Sequence, residues 1–176
     1  MYQFFSELDN IFLPDSSEYL CPTCKKGDLI YRDHCKRIVR HECGEFEWIR
    51  IPRCQCSNPG CRKVHRMIPD FLVPYKHYEE PIICDAVDER IDPAESDDRP
   101  SSQSIRHWKY WVLLNADDIN GHLKSVAHRE LGYGEELLKS GVSLLAKLRE
   151  SISDGWLKII LRTIYNSGAF LQPVYN

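Results

Sequence analysis

Two closely spaced cysteine pairs constrain this chain more than any other feature. Cys21 and Cys24 enclose two residues, and Cys56 and Cys61 enclose four, including the turn-forming run Asn-Pro-Gly. Such spacing lets two thiolates face one ion across a tight turn, and two pairs supply the four ligands of a tetrahedral zinc site. The stretch between the pairs has strand-like runs around Gly44. The sequence therefore predicts a zinc ribbon in which Cys21, Cys24, Cys56 and Cys61 hold a structural Zn²⁺ ion.

Other assignments of the metal ligands stay open at this point. His65 is an alternative to Cys56 or Cys61, and Cys54 is an additional thiol close to the second pair. A second tetrahedral site is conceivable across the hairpin, from Cys35, His41, Cys43 and Cys54. Cys84 is expected in the core, because free cysteine is among the most buried residue types. The alternative to any metal site is a set of redox-active or simply packed thiols.

The chain is not expected to be an enzyme or a membrane protein. A catalytic zinc needs an open position and a nearby base, and neither an HExxH motif nor an H-x-E motif with PCxxC is present. No window approaches the roughly 20 apolar residues of a membrane span. The start, MYQFFSELDNIF, lacks the features of a secretory signal, so we expect a cytoplasmic protein, where cysteines serve as ligands more often than as disulfides.

Hydrophobic periodicity predicts an α+β fold, with a small zinc-ribbon β-hairpin module followed by an all-α domain. Residues 1–20 are expected to form a helix, from Phe4, Phe5, Leu8, Ile11 and Phe12, that packs on the ribbon of residues 21–78. An acidic helix entered through Pro81 and a linker fill residues 79–99. Residues 100–176 are expected to form four helices, over residues 105–114, 119–131, 137–152 and 156–165. Asp154 is the candidate N-cap of the last helix and Gly168 its stop signal.

Charge is distributed unevenly along the chain. The formal net charge is −3, but residues 21–78 hold 12 Lys or Arg against six Asp or Glu, whereas residues 79–99 hold nine acids against two arginines. A basic face supplies affinity for phosphates, so the ribbon is the candidate nucleic-acid surface. The alternative is a solvated surface of uneven charge. The candidate phosphate contacts are Lys25, Lys26, Arg37, Arg40, Arg50, Arg53, Arg62, Lys63 and Arg66.

The motifs C-P-T-C and I-P-R-C-Q-C-S-N-P-G-C-R-K-V-H resemble the amino-terminal zinc-binding domain of prokaryotic insertion-sequence transposases. They are still more similar to short uncharacterised bacterial proteins that carry this ribbon without a catalytic domain, in which a P-S-x-x-[ST]-I-R-x-W element follows, matched here by residues 100–108. The resemblance implies nucleic-acid recognition associated with mobile elements. Two departures are Cys54 and Lys25-Lys26, where glycine usually follows the first pair. We expect no DDE catalytic domain within 176 residues.

The helix after Pro100 is the candidate DNA-reading element. Together with the helix after Pro81 it resembles a helix-turn-helix, although the intervening loop is unusually long. Gln103 and Arg106 are then the candidates for base edges and Lys109 for phosphate. The alternative is that Trp108 and Trp111 simply pack this helix into a core.

Two functions of different classes follow from these patterns. The first is a zinc-stabilised DNA-binding accessory or regulatory protein of a mobile element or phage. The second is a protein-interaction module, or an inhibitor of a nucleic-acid enzyme, that uses the ribbon and the acidic residues 79–98. The apolar stripes of the later helices are expected in the core, with a homodimer face as the alternative.

Overall fold

The computed structural model describes residues 2–5, 19–42, 44–91, 99–152 and 154–174. In these ranges the chain forms four strands followed by six helices, so the predicted α+β class is confirmed. The strands are β1 (Tyr2–Phe5), β2 (Leu29–Arg40), β3 (Phe46–Cys56) and β4 (Val64–Pro69). The helices are α1 (Glu80–Val87), α2 (Ser102–Leu114), α3 (Ala116–Leu131), α4 (Glu135–Lys139), α5 (Leu144–Ser151) and α6 (Trp156–Asn166).

The strands form one sheet in the order β1-β4-β3-β2. β2 and β3 are the predicted hairpin, and Gly44 in their connection has φ 79°, a left-handed conformation that favours glycine. β4 pairs antiparallel with β3. Because Leu29 lies opposite Cys56, the start of β2 and the end of β3 meet at the same end of the sheet, where both cysteine pairs are located.

The amino terminus differs from its prediction. Tyr2–Phe5, part of the predicted helix, is the strand β1, which pairs parallel with β4 from Tyr2 opposite Arg66 to Phe5 opposite Pro69. The edge of β4 offers unpaired backbone groups, and pairing with it satisfies the backbone of β1 in a way that local periodicity does not reveal. Residues 6–18, which carry the rest of the predicted helix, lie outside the described residues.

The first two helices follow their sequence signals. Pro81 lies in the first turn of α1, where its missing N–H costs nothing. Ser101 caps α2, since its Oγ accepts a hydrogen bond from the Ser104 N–H at 3.2 Å.

The prediction of one helix over residues 137–152 is wrong, because the helix is interrupted between two shorter helices. α4 ends at Lys139 and α5 begins at Leu144. Ser143 caps α5 by accepting a hydrogen bond from the Ala146 N–H at 3.1 Å, and Gly141 lies in the break. Local glycine and serine chemistry therefore overrides the apolar spacing that continues through this stretch.

The predicted cap of α6 is also wrong. Asp154 instead forms an ion pair with Arg90 at 2.6 Å. The residue before the helix is Gly155, at φ 79°. The Glu80 carboxylate of α1 accepts the Lys158 N–H in the first turn of α6 at 3.0 Å, so the cap comes from another helix.

The main core is shared between the sheet and the helices. Val39, Ile51 and Ile68 contribute from three strands, and the remaining buried residues come chiefly from the helices, above all from α6. Gly168, which follows α6 at φ 93°, ends this helix as predicted. The division into a ribbon domain and a helical domain stays a prediction, since the two parts share one core.

A second, smaller core lies at the cysteine end of the sheet. Its buried members are Cys21, Leu29, Cys54, Cys56 and Met67. Two of these five are candidate metal ligands, so little apolar packing is left to hold this end of the sheet. Among the helices in the described ranges, none combines the length and apolar character that a membrane crossing needs.

Candidate metal centre and basic surface

The first cysteine pair lies in a tight turn directly before β2. The Lys25 N–H donates to the Cys21 carbonyl at 2.8 Å, and the Cys21 N–H donates to the Gly27 carbonyl at 2.8 Å. These bonds fold residues 21–27 back on themselves and bring the thiols of Cys21 and Cys24 to one side of the turn.

Asn58 shapes the wider turn of the second pair, which connects β3 to β4. Its carbonyl accepts the N–H groups of Cys61 at 2.9 Å and Arg62 at 3.1 Å, while its Oδ1 accepts the Gly60 N–H at 3.0 Å. The Asn58 Nδ2 also donates to Cys24 Sγ at 3.7 Å. One residue, through its carbonyl and its side chain, therefore orders the second turn and contacts a thiol of the first.

The four sulfurs form one compact group. Cys21, Cys24, Cys56 and Cys61 have their Sγ atoms all within 4.8 Å of one another, with Cys21 Sγ 3.8 Å from Cys61 Sγ and Cys24 Sγ 3.6 Å from Cys56 Sγ. A tetrahedral site with metal–sulfur bonds near 2.3 Å has sulfur–sulfur edges of about 3.8 Å. The group is therefore compatible with a metal ion, and its members are the four cysteines that the sequence pattern selected.

The local backbone prepares one thiol for ligation. Backbone N–H groups of Lys26 and Gly27 lower the pKa of Cys24 to about 6, so this thiol ionises near neutral pH. Burial raises the pKa of Cys56, whose thiolate is disfavoured without a cation. A bound cation offsets that cost, because metal ligation stabilises the deprotonated form.

His65 lies beside the four-sulfur group without belonging to it. The side chain is buried on β4, with Nε2 3.4 Å from Cys21 Sγ. Burial lowers the pKa of His65 to about 4, so the imidazole is neutral and its Nε2–H can donate to Cys21 Sγ. This is the position of an outer hydrogen-bond donor that orients a ligand. The sequence predicted His65 as a replacement for a cysteine ligand or as a surface or core histidine; the residue is buried and lies outside the four-sulfur group.

Cys54 lies outside the four-sulfur group. It faces His65 across the β3–β4 pair and is buried in the small core with Leu29 and Met67. Burial raises the pKa of the Cys54 thiol, which keeps it protonated.

The described residues do not assemble the alternative site across the hairpin. Cys35 packs against the main core, and the His41 ring nitrogens lie 3.6 Å from Glu47 Oε1 and 3.1 Å from Glu79 Oε1. Cys43 lies outside the described residues. Cys84 is buried in the main core on α1, as predicted.

Gly27 is a residue of the site that the sequence reasoning missed. A Cβ at this position would lie 2.6 Å from Cys56 Sγ and 2.7 Å from the Asn58 nitrogen, closer than real Cβ contacts. The first turn can therefore approach the second only with glycine here. The only local signal for a role of Gly27 is its position three residues after Cys24.

Exposed basic residues follow the cysteines in both turns of the four-sulfur group. Lys25, Lys26, Arg62 and Lys63 are exposed and directly follow the last cysteine of each pair. Lys25 has φ 54° and Arg62 has φ 52°, so the same left-handed position of each turn holds a basic residue. Non-glycine residues seldom adopt this conformation.

Three other predicted phosphate contacts already have partners inside the molecule. Arg37 donates to the Val73 carbonyl and, at 2.5 Å, to the Lys76 carbonyl. Arg53 forms a two-pronged ion pair with Asp33, with both bonds at 2.5 Å.

Lys109 of α2 is the third predicted phosphate contact with a partner inside the molecule, because it pairs with Glu89 at 2.8 Å. The remaining candidates, Arg40, Arg50 and Arg66, are exposed on the sheet, with the Arg40 guanidinium 5.8 Å from the centroid of the Tyr78 ring.

α2 packs one side into the core and leaves the candidate base-reading residues exposed; whether they contact bases stays a prediction. Ile105, Trp108, Trp111 and Val112 are buried in the main core. Gln103 and Arg106 are exposed on the other side of the helix.

The acidic residues of α1 and the turn after it bind partners within the same molecule. Asp88 accepts a hydrogen bond from Trp156 Nε1 at 2.8 Å and pairs with Arg149. Asp85 pairs with Arg90 at 3.0 Å, while Glu80 caps α6. Within residues 79–91, much of the negative charge is thus used internally; residues 92–98 lie outside the described residues.

The fold and the four-sulfur group define an α+β protein with a candidate metal centre at one end of its sheet. The chain belongs to the family described as "Domain of unknown function (DUF6431)", whose model matches residues 21–108, half of the chain. The matched stretch begins at the first cysteine of the centre and ends at Trp108 in α2. No curated protein matches the chain, and no solved structure does.

Proposed function

We propose that the cysteine centre binds one Zn²⁺ ion in a structural role. Four thiolates within one tetrahedron are a ligand set that zinc favours, and they leave no open position for a substrate. The small core around Leu29 and Met67 has few apolar members, so the ion supplies cohesion that packing does not. Neutral His65 adds a hydrogen bond to one thiolate without adding charge.

We further propose that this zinc-stabilised end of the sheet binds DNA. The observation that carries the proposal is the placement of Lys25, Lys26, Arg62 and Lys63, all exposed and all directly beside the ligands. Because the ion joins the two turns, it gathers these four cations at one end of the sheet, where they attract phosphates. Arg53 and Lys109, which pair with carboxylates, contribute less.

The exposed side of α2 extends the proposal to sequence reading. Gln103 and Arg106 lie in its first turns, where a helix in a major groove presents side chains to base edges. With the resemblance to transposase zinc-binding domains, these features support an accessory or regulatory DNA-binding protein of a mobile element or phage.

A salt-dependent binding experiment tests the DNA proposal. The full zinc-loaded chain is titrated onto a fluorescent DNA duplex at several salt concentrations. Replacing Lys25, Lys26, Arg62 and Lys63 by glutamine is expected to weaken binding and to reduce the slope of log affinity against log salt, by about 0.9 for each phosphate that is no longer neutralised. Glutamine at the exposed Lys139 and Lys147 of α4 and α5 is the matched control. Absence of DNA binding by the unmodified protein at low salt would refute the proposal.

Metal analysis of two variants tests the ligand set separately. Cys56→Ser is expected to abolish stoichiometric zinc in the purified protein, whereas Cys54→Ser, a change in the same strand and the same small core, is expected to retain it. Zinc loss from the Cys54 variant alone would overturn the assignment.

A further inference from the structure

One side of the β2–β3 hairpin is exposed and combines aromatic with basic residues. Lys36 lies opposite Arg50, Ile38 opposite Trp48, and Arg40 opposite Phe46, so these pairs share one side of the two strands. A register shift between Tyr31 and Asp33 adds Tyr31 to the same side, where its hydroxyl lies 3.4 Å from His34 Nδ1. We call this side the hairpin stripe: Tyr31, His34, Lys36, Ile38, Arg40, Phe46, Trp48 and Arg50.

Large aromatic rings on the hairpin stripe are open to solvent. Trp48 is 62% exposed, Phe46 58% and Tyr31 47%. The other three tryptophans, Trp108, Trp111 and Trp156, are buried. Exposed apolar groups gathered on one side of a sheet indicate a surface that binds something.

The charges on the hairpin stripe have one sign. Lys36 directly faces Arg50, and like charges in opposite positions of an antiparallel pair destabilise the sheet. Among the described residues neither side chain has a carboxylate partner, and the acids within the two strands, Asp33 and Glu47, lie on the opposite side of the strands, while Glu42 and Glu45 lie in the hairpin connection. An anion held between Lys36 and Arg50 removes the repulsion, so the stripe is complementary to a negatively charged ligand.

The geometry favours an unpaired nucleic-acid strand over a duplex. A duplex offers phosphates but keeps its bases stacked on one another, and phosphate contacts alone do not require exposed rings. An unpaired strand offers both phosphates and free base faces, which stack on aromatic side chains in a sequence-tolerant way. From the position of Tyr31 to that of Phe46 the stripe is about 26 Å long, at about 3.3 Å for each residue, which spans several nucleotides.

We infer that the hairpin stripe binds an unpaired strand of nucleic acid, with bases stacked on Trp48 and Phe46 and a phosphate held between Lys36 and Arg50. This inference rests on the proposed nucleic-acid function and adds, to the duplex surface beside the cysteines and on α2, a second surface for an unpaired strand. It also assigns Trp48 and Phe46 a role that neither the metal centre nor α2 explains.

Tryptophan fluorescence of the full zinc-loaded chain tests the inference. Titration with oligothymidylate is expected to quench the emission, because Trp48 is the exposed tryptophan. Trp48→Ala is expected to lower affinity at least about fivefold, the lower range for loss of one stacked base. Lys36→Gln with Arg50→Gln is expected to reduce the salt slope by about 0.7 for each phosphate that is no longer neutralised. Oligouridylate in parallel distinguishes a DNA strand from an RNA strand.

Two matched controls separate this surface from general effects. Tyr133→Ala removes an exposed aromatic ring after α3, and Lys147→Gln removes an exposed charge from α5; both are expected to leave binding unchanged. Zinc content and thermal melting of each variant check that it is folded.

The outcomes separate failure of the inference from failure of the proposed function. Equal affinity for duplex and single strand, with Trp48→Ala silent and the variants beside the cysteines defective, would overturn the inference and leave DNA binding intact. Absence of binding to any nucleic acid at low salt would refute both the inference and the proposed nucleic-acid function. A Trp48-dependent protein partner together with absence of oligonucleotide binding would overturn the inference in favour of a protein ligand.

Discussion

At the scale of single residues, Gly27 determines how closely the two cysteine turns approach. Gly27→Ala would place a methyl group 2.6 Å from Cys56 Sγ. Because the neighbouring atoms include the Asn58 backbone, the clash cannot be relieved by a side-chain rotation. We expect this variant to bind zinc more weakly and to melt at a lower temperature, measured by competition with a chromogenic chelator and by thermal denaturation.

Gly60→Ala provides the comparison for this prediction. A Cβ at Gly60 would meet only Asn58 Oδ1, at 3.5 Å, an ordinary contact. We expect its zinc affinity to match that of the unmodified chain. Equal behaviour of the two variants would show that the close approach at Gly27 does not matter for metal binding.

The sequence could identify the four cysteines, but not the residues that support them. Spacing within each pair is a local property, so Cys21, Cys24, Cys56 and Cys61 stand out directly. His65 approaches Cys21, and Gly27 approaches Cys56, only because separate turns and strands meet at one end of the sheet. The exposure of Trp48 likewise depends on which side of the hairpin the helices cover.

At the scale of elements, α1 and α6 are joined by a buried carboxylate. Glu80 is 2% exposed, and its Oε1 accepts the Lys158 N–H at the positive end of α6. Burial is the main cause that raises the pKa of Glu80 from 4.5 to about 7. Desolvation of the charged form thus outweighs the favourable hydrogen bond.

This pKa shift predicts a pH-dependent stability. Between about pH 4.5 and pH 7 the folded state keeps a proton on Glu80 that the unfolded state has released, so the free energy of unfolding falls as pH rises through this window. Glu80→Gln retains an acceptor oxygen and removes the ionisation. We expect it to flatten this part of the profile and to raise stability at pH 8 by on the order of 2 kcal/mol, measured by urea denaturation.

The exposed Glu150 on α5 serves as the control, since glutamine there is expected to leave the pH profile unchanged. A Glu80→Gln profile that retains the slope between pH 5 and pH 7 would contradict the assignment.

Elements with local signals were predictable, and elements that depend on distant partners were not. The β2–β3 hairpin, α1, α2 and α6 follow alternation, proline placement and serine capping. β1 forms only because β4 offers an edge, and α6 takes its cap from Glu80, 76 positions before its first residue. Periodicity within one segment contains no information on either partner.

At the scale of the whole molecule, the shared core links the metal centre to the helices. Ile51 and Ile68 of the sheet pack in the same core as Trp156 of α6, while the centre lies at the end of the same strands. Chelation is therefore expected to weaken both parts. We predict a fall in melting temperature of at least about 10 °C. A structural zinc contributes several kcal/mol to the free energy of unfolding, and each kcal/mol shifts the melting temperature of a chain of this size by about 2–4 °C.

Two optical signals follow the response of the molecule to chelation. Far-UV circular dichroism follows the helices, and near-UV circular dichroism follows the buried tryptophans. Both are expected to change in one transition and to recover when zinc is restored. A helical signal whose melting is insensitive to chelation would show that the helices are stable without the ribbon.

Gly168 lies at the point where the late part of the chain touches the first cysteine turn. A Cβ there would lie 2.4 Å from the Pro22 carbonyl oxygen, and Lys25 Nζ donates to the Asn166 carbonyl at 3.4 Å. The family signature ends at Trp108, 60 positions before this contact. The stretch that the family model matches therefore lacks residues that contact the first cysteine turn: a ribbon excised at Trp108 would lose one wall of that turn.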